Sequence, residues 1–183
     1  MTYELNEAFI NHCGPVILKK KPAAMMPLSH QACKEIMHMS LTHYGLKAEV
    51  LEHRNFNDLV IVYRPALLKE TLENEIAKST LYSFGYPLGT DNTQMIAYLK
   101  KRIKISGGFP HEVGFFLGYP VEDVVGFIEH GGHFCKYYGK WKVYGDINLA
   151  KSMFEQYDRC KNFLINYVNN GGSLTSLCLA IAG

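Results

Sequence analysis

The hydrophobic positions in the first part of the chain change from helical spacing to strand-like alternation near residue 47. Residues 4–11 and 13–20 predict two short helices, and residues 29–45 predict a longer helix that begins at the N-cap Ser29. AEVLEH and LVIVYR are short runs with β-branched residues, and the RNFND between them favours a turn. Residues 47–64 therefore predict a β-hairpin.

Helical spacing returns after Pro65 and alternates with apolar segments that predict strands. The predicted helices cover residues 65–85, 91–105, 120–131 and 147–170, and each is bounded by a proline, a glycine or a capping residue. The predicted strands cover residues 111–119, 134–138, 140–144 and 173–182. The expected fold is α+β, with N-terminal helices packed on a mostly antiparallel sheet.

Composition adds limits on size, partners and location. A chain of 183 residues that is 48% hydrophobic and 20% charged can bury one core, so we expect a single domain over residues 1–183. A net charge of +2 does not favour nucleic acid or an anionic membrane surface as a partner. No apolar run reaches the ~20 residues of a membrane-spanning helix, and the first residues lack a signal-peptide core, so we expect a cytoplasmic protein.

The cysteines and histidines do not show the spacing of a metal site or of a disulfide framework. Five cysteines stand at positions 13, 33, 135, 160 and 178, and none of them forms a CxxC pair. His30, His38 and His43 lie along one predicted helix, but no two of them have i, i+4 spacing and the chain has no HExxH. We therefore expect reduced thiols and no bound metal.

Cys13, His111 and Asp146 are the candidates for a catalytic constellation. His111 opens the predicted strand of residues 111–119, and Asp146 follows the predicted strand of residues 140–144. If these strands pair, an imidazole and a carboxylate come to one sheet edge, as a base and its orienting group do. Cys13 stands at the predicted start of a helix, where the helix dipole lowers the pKa of a thiol.

Several of these residues also have a purely structural interpretation. A lone cysteine is most often a small buried apolar residue, and this alternative applies to Cys13. Asp123 competes with Asp146 as the orienting group, although an acid in the first turn of a helix has a sufficient structural role. The SGGFP segment makes a tight approach at which Phe109 can line a substrate pocket, and Trp141 is a candidate for the pocket wall or the core.

Four blocks of the sequence resemble a protein family of unknown function from anaerobic Firmicutes. They are HCGP near the N-terminus, FPHEVGFFLGYPVEDVVGFIEHGG, GKWKVYGD and the helix that contains FEQYDRC. The similarity covers nearly the whole chain and is most specific over residues 109–146. It implies a family but no activity.

HEVGFFLGY and KWKVYGD also resemble two strands of papain-like cysteine proteases and transacylases. In those enzymes a cysteine opens the central helix, a later histidine begins a strand, and the next strand ends on Asn or Asp. The resemblance implies a papain-like fold with Cys13 as nucleophile, His111 as base and Asp146 as orienting group. The cysteine-to-histidine separation is shorter than in papain, and the usual oxyanion-hole glutamine is absent. Asn6 or Asn11, together with the backbone N–H of Cys13, is the candidate for that role.

Small papain-like transacylases of thiotemplated peptide assembly, of the closthioamide type, provide the most specific functional expectation. By this resemblance the chain takes an acyl group from the phosphopantetheine arm of an acyl or peptidyl carrier protein. A Cys13 acyl-enzyme would then pass it to an amine or thiol acceptor in thioamide natural-product biosynthesis, with no cofactor of its own. The basic KKR at residues 100–102 could meet an acidic carrier protein.

Two other functional classes stay open at this point. An intracellular cysteine peptidase or thioesterase of the same fold would transfer the acyl group to water. A non-catalytic protein would instead bind a metal, haem or a partner through its eight histidines and its free cysteines.

Overall fold

A computed structural model describes residues 2–87, 89–106 and 109–182 of the chain. These residues form two compact units. Unit 1 is formed by Met1–Leu67 and Gln156–Gly183, and unit 2 by Leu68–Glu155. Both units contain helices and a small antiparallel sheet, so the predicted α+β class is confirmed.

The elements follow one another along the chain in two groups. The first group is α1 (Tyr3–Ala8), a π-helical turn (Phe9–Cys13), α2 (Gly14–Ile17), β1 (Ala23–Leu28), α3 (His30–His38), a 3-10 helix (Leu41–Tyr44), β2 (Lys47–His53) and β3 (Asp58–Tyr63). The second group is α4 (Pro65–Leu72), α5 (Glu75–Ser83), α6 (Asn92–Ser106), α7 (Val113–Phe116), α8 (Val121–His130), β4 (Tyr137–Tyr138), β5 (Lys142–Val143), α9 (Ile147–Asn169) and α10 (Leu174–Ala182).

Unit 1 is built on an antiparallel sheet in the order β1, β3, β2. β2 and β3 form a hairpin in which Lys47 lies opposite Tyr63 and His53 lies opposite Asp58. The hairpin predicted for residues 47–64 is therefore confirmed. All six residues of the central strand β3 are buried, which places its side chains in the interior on both faces of the sheet.

The sequence did not predict β1, which forms one edge of this sheet. Pro27 lies within β1 and lacks a backbone N–H, a feature that a strand tolerates at a sheet edge. Met26 and Leu28 on either side of it are buried, whereas Pro27 is exposed. β1 thus alternates as a half-buried edge strand even though its proline interrupts the sequence signal.

The hydrophobic core of unit 1 combines residues from both ends of the sequence. It contains Leu5, Phe9, Cys13, Val16, Ile17, Ala24, Met26, Leu28, Ala32, Cys33, Ile36, Leu41, Leu46, Val60, Val62, Leu164, Leu174 and Cys178. The two residues from α10, Leu174 and Cys178, are 3% and 4% exposed. The C-terminal helix is therefore part of this core.

Arg64 is a buried cation that joins two helix ends within unit 1. Its Nε and one terminal nitrogen donate to the carbonyl oxygens of Val16 and Ile17, both at 2.7 Å. Its other terminal nitrogen donates to Tyr44 and Gly45 at 3.3 and 3.4 Å. These carbonyls lie at the ends of α2 and the 3-10 helix, so one guanidinium caps both.

Unit 2 is mainly helical and carries the short β4–β5 hairpin. α6 and α8 confirm the helices predicted for residues 91–105 and 120–131. Asp91 caps α6 by accepting the backbone N–H of Gln94 at 2.9 Å. Gly131 ends α8 in the left-handed conformation, with φ of 57°.

The strand predicted for residues 111–119 is wrong, because this segment folds as helical turns. α7 occupies Val113–Phe116, and its backbone hydrogen bonds are local, such as that from Leu117 N to Val113 O at 3.1 Å. Phe115 and Phe116 are both fully buried. An apolar run that is buried on all sides has no period that separates a strand from a helical turn.

Two further predictions about local structure are wrong. Cys13 does not open a helix, because the π-helical turn ends at Cys13 and α2 continues directly from Gly14. The strand predicted for residues 173–182 is instead the helix α10 (Leu174–Ala182), in which Leu174 and Cys178 are buried four residues apart while Leu179 is 54% exposed. One-sided burial with that spacing is helical.

The helix predicted for residues 65–85 is divided into α4 and α5. Asn74 begins α5 by accepting the N–H groups of Ile76 and Ala77 at 3.1 and 3.2 Å. α9 confirms the predicted helix of residues 147–170 to within one residue. Among the helices of the described residues, none combines the length and the apolar character needed to span a membrane.

Candidate functional site

A buried carboxylate fixes the β4–β5 hairpin of unit 2 to α8. Asp123, in the first turn of α8, is 2% exposed. Its Oδ2 accepts the indole N–H of Trp141 at 2.7 Å, and its Oδ1 accepts the backbone N–H groups of Tyr144 and Gly145 at 2.7 and 2.8 Å. Asp123 therefore determines where the end of the hairpin and the Trp141 ring lie.

The hairpin approaches α8 closely because residue 126 is a glycine. A Cβ at Gly126 would lie 2.5 Å from both Cβ and Cγ of Tyr144, which is too close for any side chain. The Tyr144 ring also stacks on His130 of the same helix, with ring centroids 5.7 Å apart. Helix and hairpin form one packed wall.

This wall borders a pocket of about 430 Å³ that lies entirely within unit 2. Aromatic rings dominate its lining and come from Phe109, His111, Tyr119, Phe127, Tyr138 and Trp141. The volume falls within the range of small-molecule sites, and aromatic side chains with a few polar groups are the usual lining of such sites. The pocket is the candidate functional site.

The rings of this pocket are held by one another. Tyr119 stacks on Trp141 with centroids 4.6 Å apart and an angle of 20°, while Phe154 contacts Trp141 edge-on at 4.4 Å. The His111 ring meets Phe127 edge-on, with centroids 4.9 Å apart. Rings that are fixed by their neighbours lose little entropy when a ligand binds between them.

Three of the residues singled out from the sequence line this pocket, namely His111, Phe109 and Trp141. The fourth residue of unit 2, Asp146, is not among the lining residues. Its carboxylate caps α9 by accepting the N–H groups of Asn148 and Leu149 at 2.7 and 3.1 Å. Among the described contacts, no hydrogen bond joins the His111 ring to Asp146.

Cys13 lies in unit 1, whereas His111 and Asp146 lie in unit 2. The Cys13 thiol is fully buried, and it donates a hydrogen bond to the Met26 sulfur at 3.8 Å. Burial raises the pKa of Cys13 to about 12, and the nearby Lys21 offsets only part of this effect. The thiol is therefore protonated at neutral pH, and a nucleophilic role for Cys13 stays a prediction that needs the thiol to become exposed.

The oxyanion candidates lie in the same N-terminal region as Cys13. Asn6 is half-buried in α1, and Asn11 is exposed in the π-helical turn. These positions do not show which of the two side chains would donate a hydrogen bond to the oxyanion of an acyl-transfer intermediate. Asn6 and Asn11 therefore both stay predictions.

A separate cluster of titratable groups lies at the end of the β2–β3 hairpin. Asp58 is 3% exposed and accepts hydrogen bonds from Nδ1 of His30 at 3.0 Å and Nδ1 of His53 at 2.7 Å. Burial raises the pKa of Asp58, but the hydrogen bonds from these histidines and Cys33 outweigh it and lower the pKa overall. The bond to Asp58 raises the pKa of His30. In the described part of the chain, no group of three or more histidine, cysteine or acidic side chains is placed to hold a metal.

Sequence reasoning missed the main role of Asp123 and the contribution of Tyr119, Phe127 and Tyr138 to the pocket. The helix position of Asp123 was visible, but its three donors come from residues 141–145 and depend on the tertiary fold. The tyrosines and phenylalanines carried no pattern that separates a pocket wall from an ordinary core.

The comparisons with known proteins give a family for the chain. No curated protein and no solved structure matches it. The papain-like resemblance therefore stays a prediction. Residues 9–178 match the family model described as "Protein of unknown function (DUF3793)", so the chain belongs to the DUF3793 family.

Proposed function

We propose that unit 2 binds a small molecule through an aromatic ring that enters the pocket beside Trp141. The observation that carries this proposal is the lining of six aromatic rings around about 430 Å³. Stacked and edge-on contacts each add roughly 0.5–1.5 kcal/mol beyond the burial of apolar area. A planar ligand is therefore the class that this lining favours.

The hydrogen bonds that fix the pocket wall and the exposure of its rings are more typical of a ligand-binding site than of a hydrophobic core. Asp123 accepts three N–H groups and keeps the Trp141 ring in place, so the wall is formed before a ligand arrives. Tyr138 lines the pocket while 74% exposed, and Phe109 lines it while 49% exposed. Large apolar rings at an open pocket are usual for ligand sites.

Binding can be measured directly because Trp141 is the only tryptophan in the sequence. Titration with phenylnaphthylamine, a neutral fluorescent aromatic dye, should quench Trp141 emission and saturate. Tyr138→Ala removes an exposed ring of the lining and should weaken dye binding about fivefold, the equivalent of roughly 1 kcal/mol.

Tyr82→Ala is the matched control, since Tyr82 lies in unit 2, is 62% exposed and does not line the pocket. Its dye affinity should equal that of the wild type. Unquenched Trp141 emission at saturating dye, or equal losses in the two variants, would contradict the proposal.

Acyl transfer is the second candidate function. It is favoured by the position of His111, the predicted base, at the same pocket as the predicted substrate contacts Phe109 and Trp141. In this proposal the protein is cytoplasmic and takes its acyl group from a carrier-protein phosphopantetheine thioester. The predicted base His111 takes the proton of the Cys13 thiol, and the thiolate attacks the thioester carbonyl. The carbon–sulfur bond to the carrier then breaks, and the carrier thiolate leaves with the proton from His111. The nucleophilic atom of an amine or thiol acceptor then attacks the acyl-enzyme, and the bond to Cys13 breaks, which regenerates the Cys13 thiol and releases the product.

Intact-protein mass spectrometry after incubation with an acyl thioester tests this second candidate. The expected result is one acyl adduct on the wild type, loss of the adduct in Cys13→Ala and much slower acylation in His111→Ala. An adduct that persists in Cys13→Ala, or no adduct at all, would remove Cys13 as the nucleophile. Because the thiol is buried, acylation should also be slow.

A further inference from the structure

The aromatic pocket contains a cation that a neutral ring would not need. Lys142 belongs to β5, is half-buried and lines the pocket. Its ammonium donates a hydrogen bond to the carbonyl oxygen of Gly132 at 2.8 Å and lies 5.8 Å from the centroid of Phe127 and 5.9 Å from that of Tyr138. One hydrogen bond and two rings therefore hold the ammonium in one place.

The described lining residues offer this ammonium no free carboxylate. Asp123 is the one carboxylate among them. Both Asp123 oxygens already accept hydrogen bonds, from the Trp141 indole and from two backbone N–H groups. None of the ion pairs found among the described residues involves Lys142.

A cation in such surroundings interacts strongly with an anion that enters from solvent. At the distance of an ion pair, two opposite charges attract about fourfold more strongly at the effective dielectric of a protein surface than in water. The rings around Lys142 exclude water from part of its surface, which moves the interaction toward the stronger limit. Lys142 is also already fixed, so little side-chain entropy is lost on pairing.

We infer that the ligand of this pocket is an aromatic anion, with its ring beside Trp141 and its carboxylate, sulfonate or phosphate group at Lys142. This inference rests on the proposed function and names the ligand class for the same pocket. Adjacent residues of one hairpin supply the two parts of recognition, the ring contact from Trp141 and the charge from Lys142. Asp123 accepts the indole N–H of Trp141 and the backbone N–H of Tyr144, two residues after Lys142, and so fixes both parts of the hairpin.

Two dyes with the same ring system separate the charge from the ring. Anilinonaphthalene sulfonate carries a sulfonate, and phenylnaphthylamine is its neutral counterpart. Both are titrated into the full chain at low ionic strength and followed by quenching of Trp141. We expect the sulfonate to bind about tenfold more tightly, the equivalent of roughly 1.4 kcal/mol.

Lys142→Met should remove this preference and keep the aliphatic stem that packs on the rings. The preference for the sulfonate over the neutral dye should fall about tenfold, so that the two dyes bind this variant with equal affinity. Lys151→Met is the matched control, because Lys151 also belongs to unit 2 and lies 4.9 Å from the ring centroid of Tyr137, but it does not line the pocket. Both dye affinities should be unchanged in that variant.

The wild type offers a second test that does not depend on any variant folding. Between low salt and about 0.5 M salt, binding of the sulfonate should weaken severalfold while binding of the neutral dye stays constant. Equal affinities for the two dyes, with no effect of salt, would overturn the anion inference and leave the aromatic pocket intact. Failure of both dyes to quench Trp141 would instead overturn the proposed function.

Discussion

Asp123→Ala is expected to lower the free energy of unfolding by about 4 kcal/mol. The substitution removes the acceptor of three N–H groups, from the Trp141 indole and from the backbone of Tyr144 and Gly145. Each buried donor that is left without an acceptor costs roughly 1–3 kcal/mol, and hydrogen bonds to a carboxylate are stronger than those between neutral groups. Chemical denaturation followed by Trp141 fluorescence measures both the stability and the environment of the indole.

A matched pair of charge neutralisations separates the hydrogen bonds from the charge itself. Asp123→Asn replaces one acceptor oxygen by a donor and should still cost about 2 kcal/mol. Glu122→Gln removes the same charge from the neighbouring exposed position of α8 and should change the stability by less than about 0.5 kcal/mol. Similar losses in these two variants would show that Asp123 acts by charge alone and does not organise the hairpin.

Arg64→Met is expected to destabilise unit 1 by about 3 kcal/mol. Four carbonyl oxygens, at the ends of α2 and the 3-10 helix, share this one guanidinium. A methionine fills similar space but leaves these buried acceptors without their donor. Thermal unfolding followed by circular dichroism measures the loss.

Arg64→Lys tests whether the planar shape of the guanidinium matters in addition to its charge. A single ammonium cannot reach both helix ends, so this variant should lose nearly as much stability as Arg64→Met. Arg54→Lys, at an exposed arginine of the same unit, should be within about 0.5 kcal/mol of the wild type. Full stability in Arg64→Lys would mean that one helix end does not require the arginine.

The elements that the sequence predicted correctly are those with local signals. The β2–β3 hairpin has apolar runs on both sides of a polar turn, and Asp91 and Gly131 mark helix ends through their own backbone and side-chain chemistry. Such signals depend on a few neighbouring residues. They remain valid whatever the tertiary environment is.

The secondary-structure predictions were wrong where a segment is buried on all sides or where its structure depends on tertiary contacts. Phe115 and Phe116 are adjacent and both fully buried, so the segment around them has no strand or helix period. β1 was not predicted because it contains Pro27, which argues against a strand. A proline is tolerated at the edge of a sheet, and the sequence alone does not show that β1 lies there.

The candidate site was predicted in part for a similar reason. His111, Phe109 and Trp141 were singled out from one stretch of sequence, and they line one pocket. The nucleophile assigned to them depended on a helix beginning at Cys13, and that residue is instead inside a continuous helical segment in the core of unit 1. No local pattern reports whether a lone cysteine is accessible.

The positions of the five cysteines allow their reaction rates to report local opening of unit 1. Cys13, Cys33, Cys160 and Cys178 are all buried in unit 1, while the partly exposed Cys135 belongs to unit 2. Reaction of a thiol that is closed in the folded state proceeds through transient opening, so its rate reports the population of open molecules. An alkylating reagent or oxidant therefore reacts with Cys135 in the folded chain. It reacts with the other four cysteines only when unit 1 opens transiently.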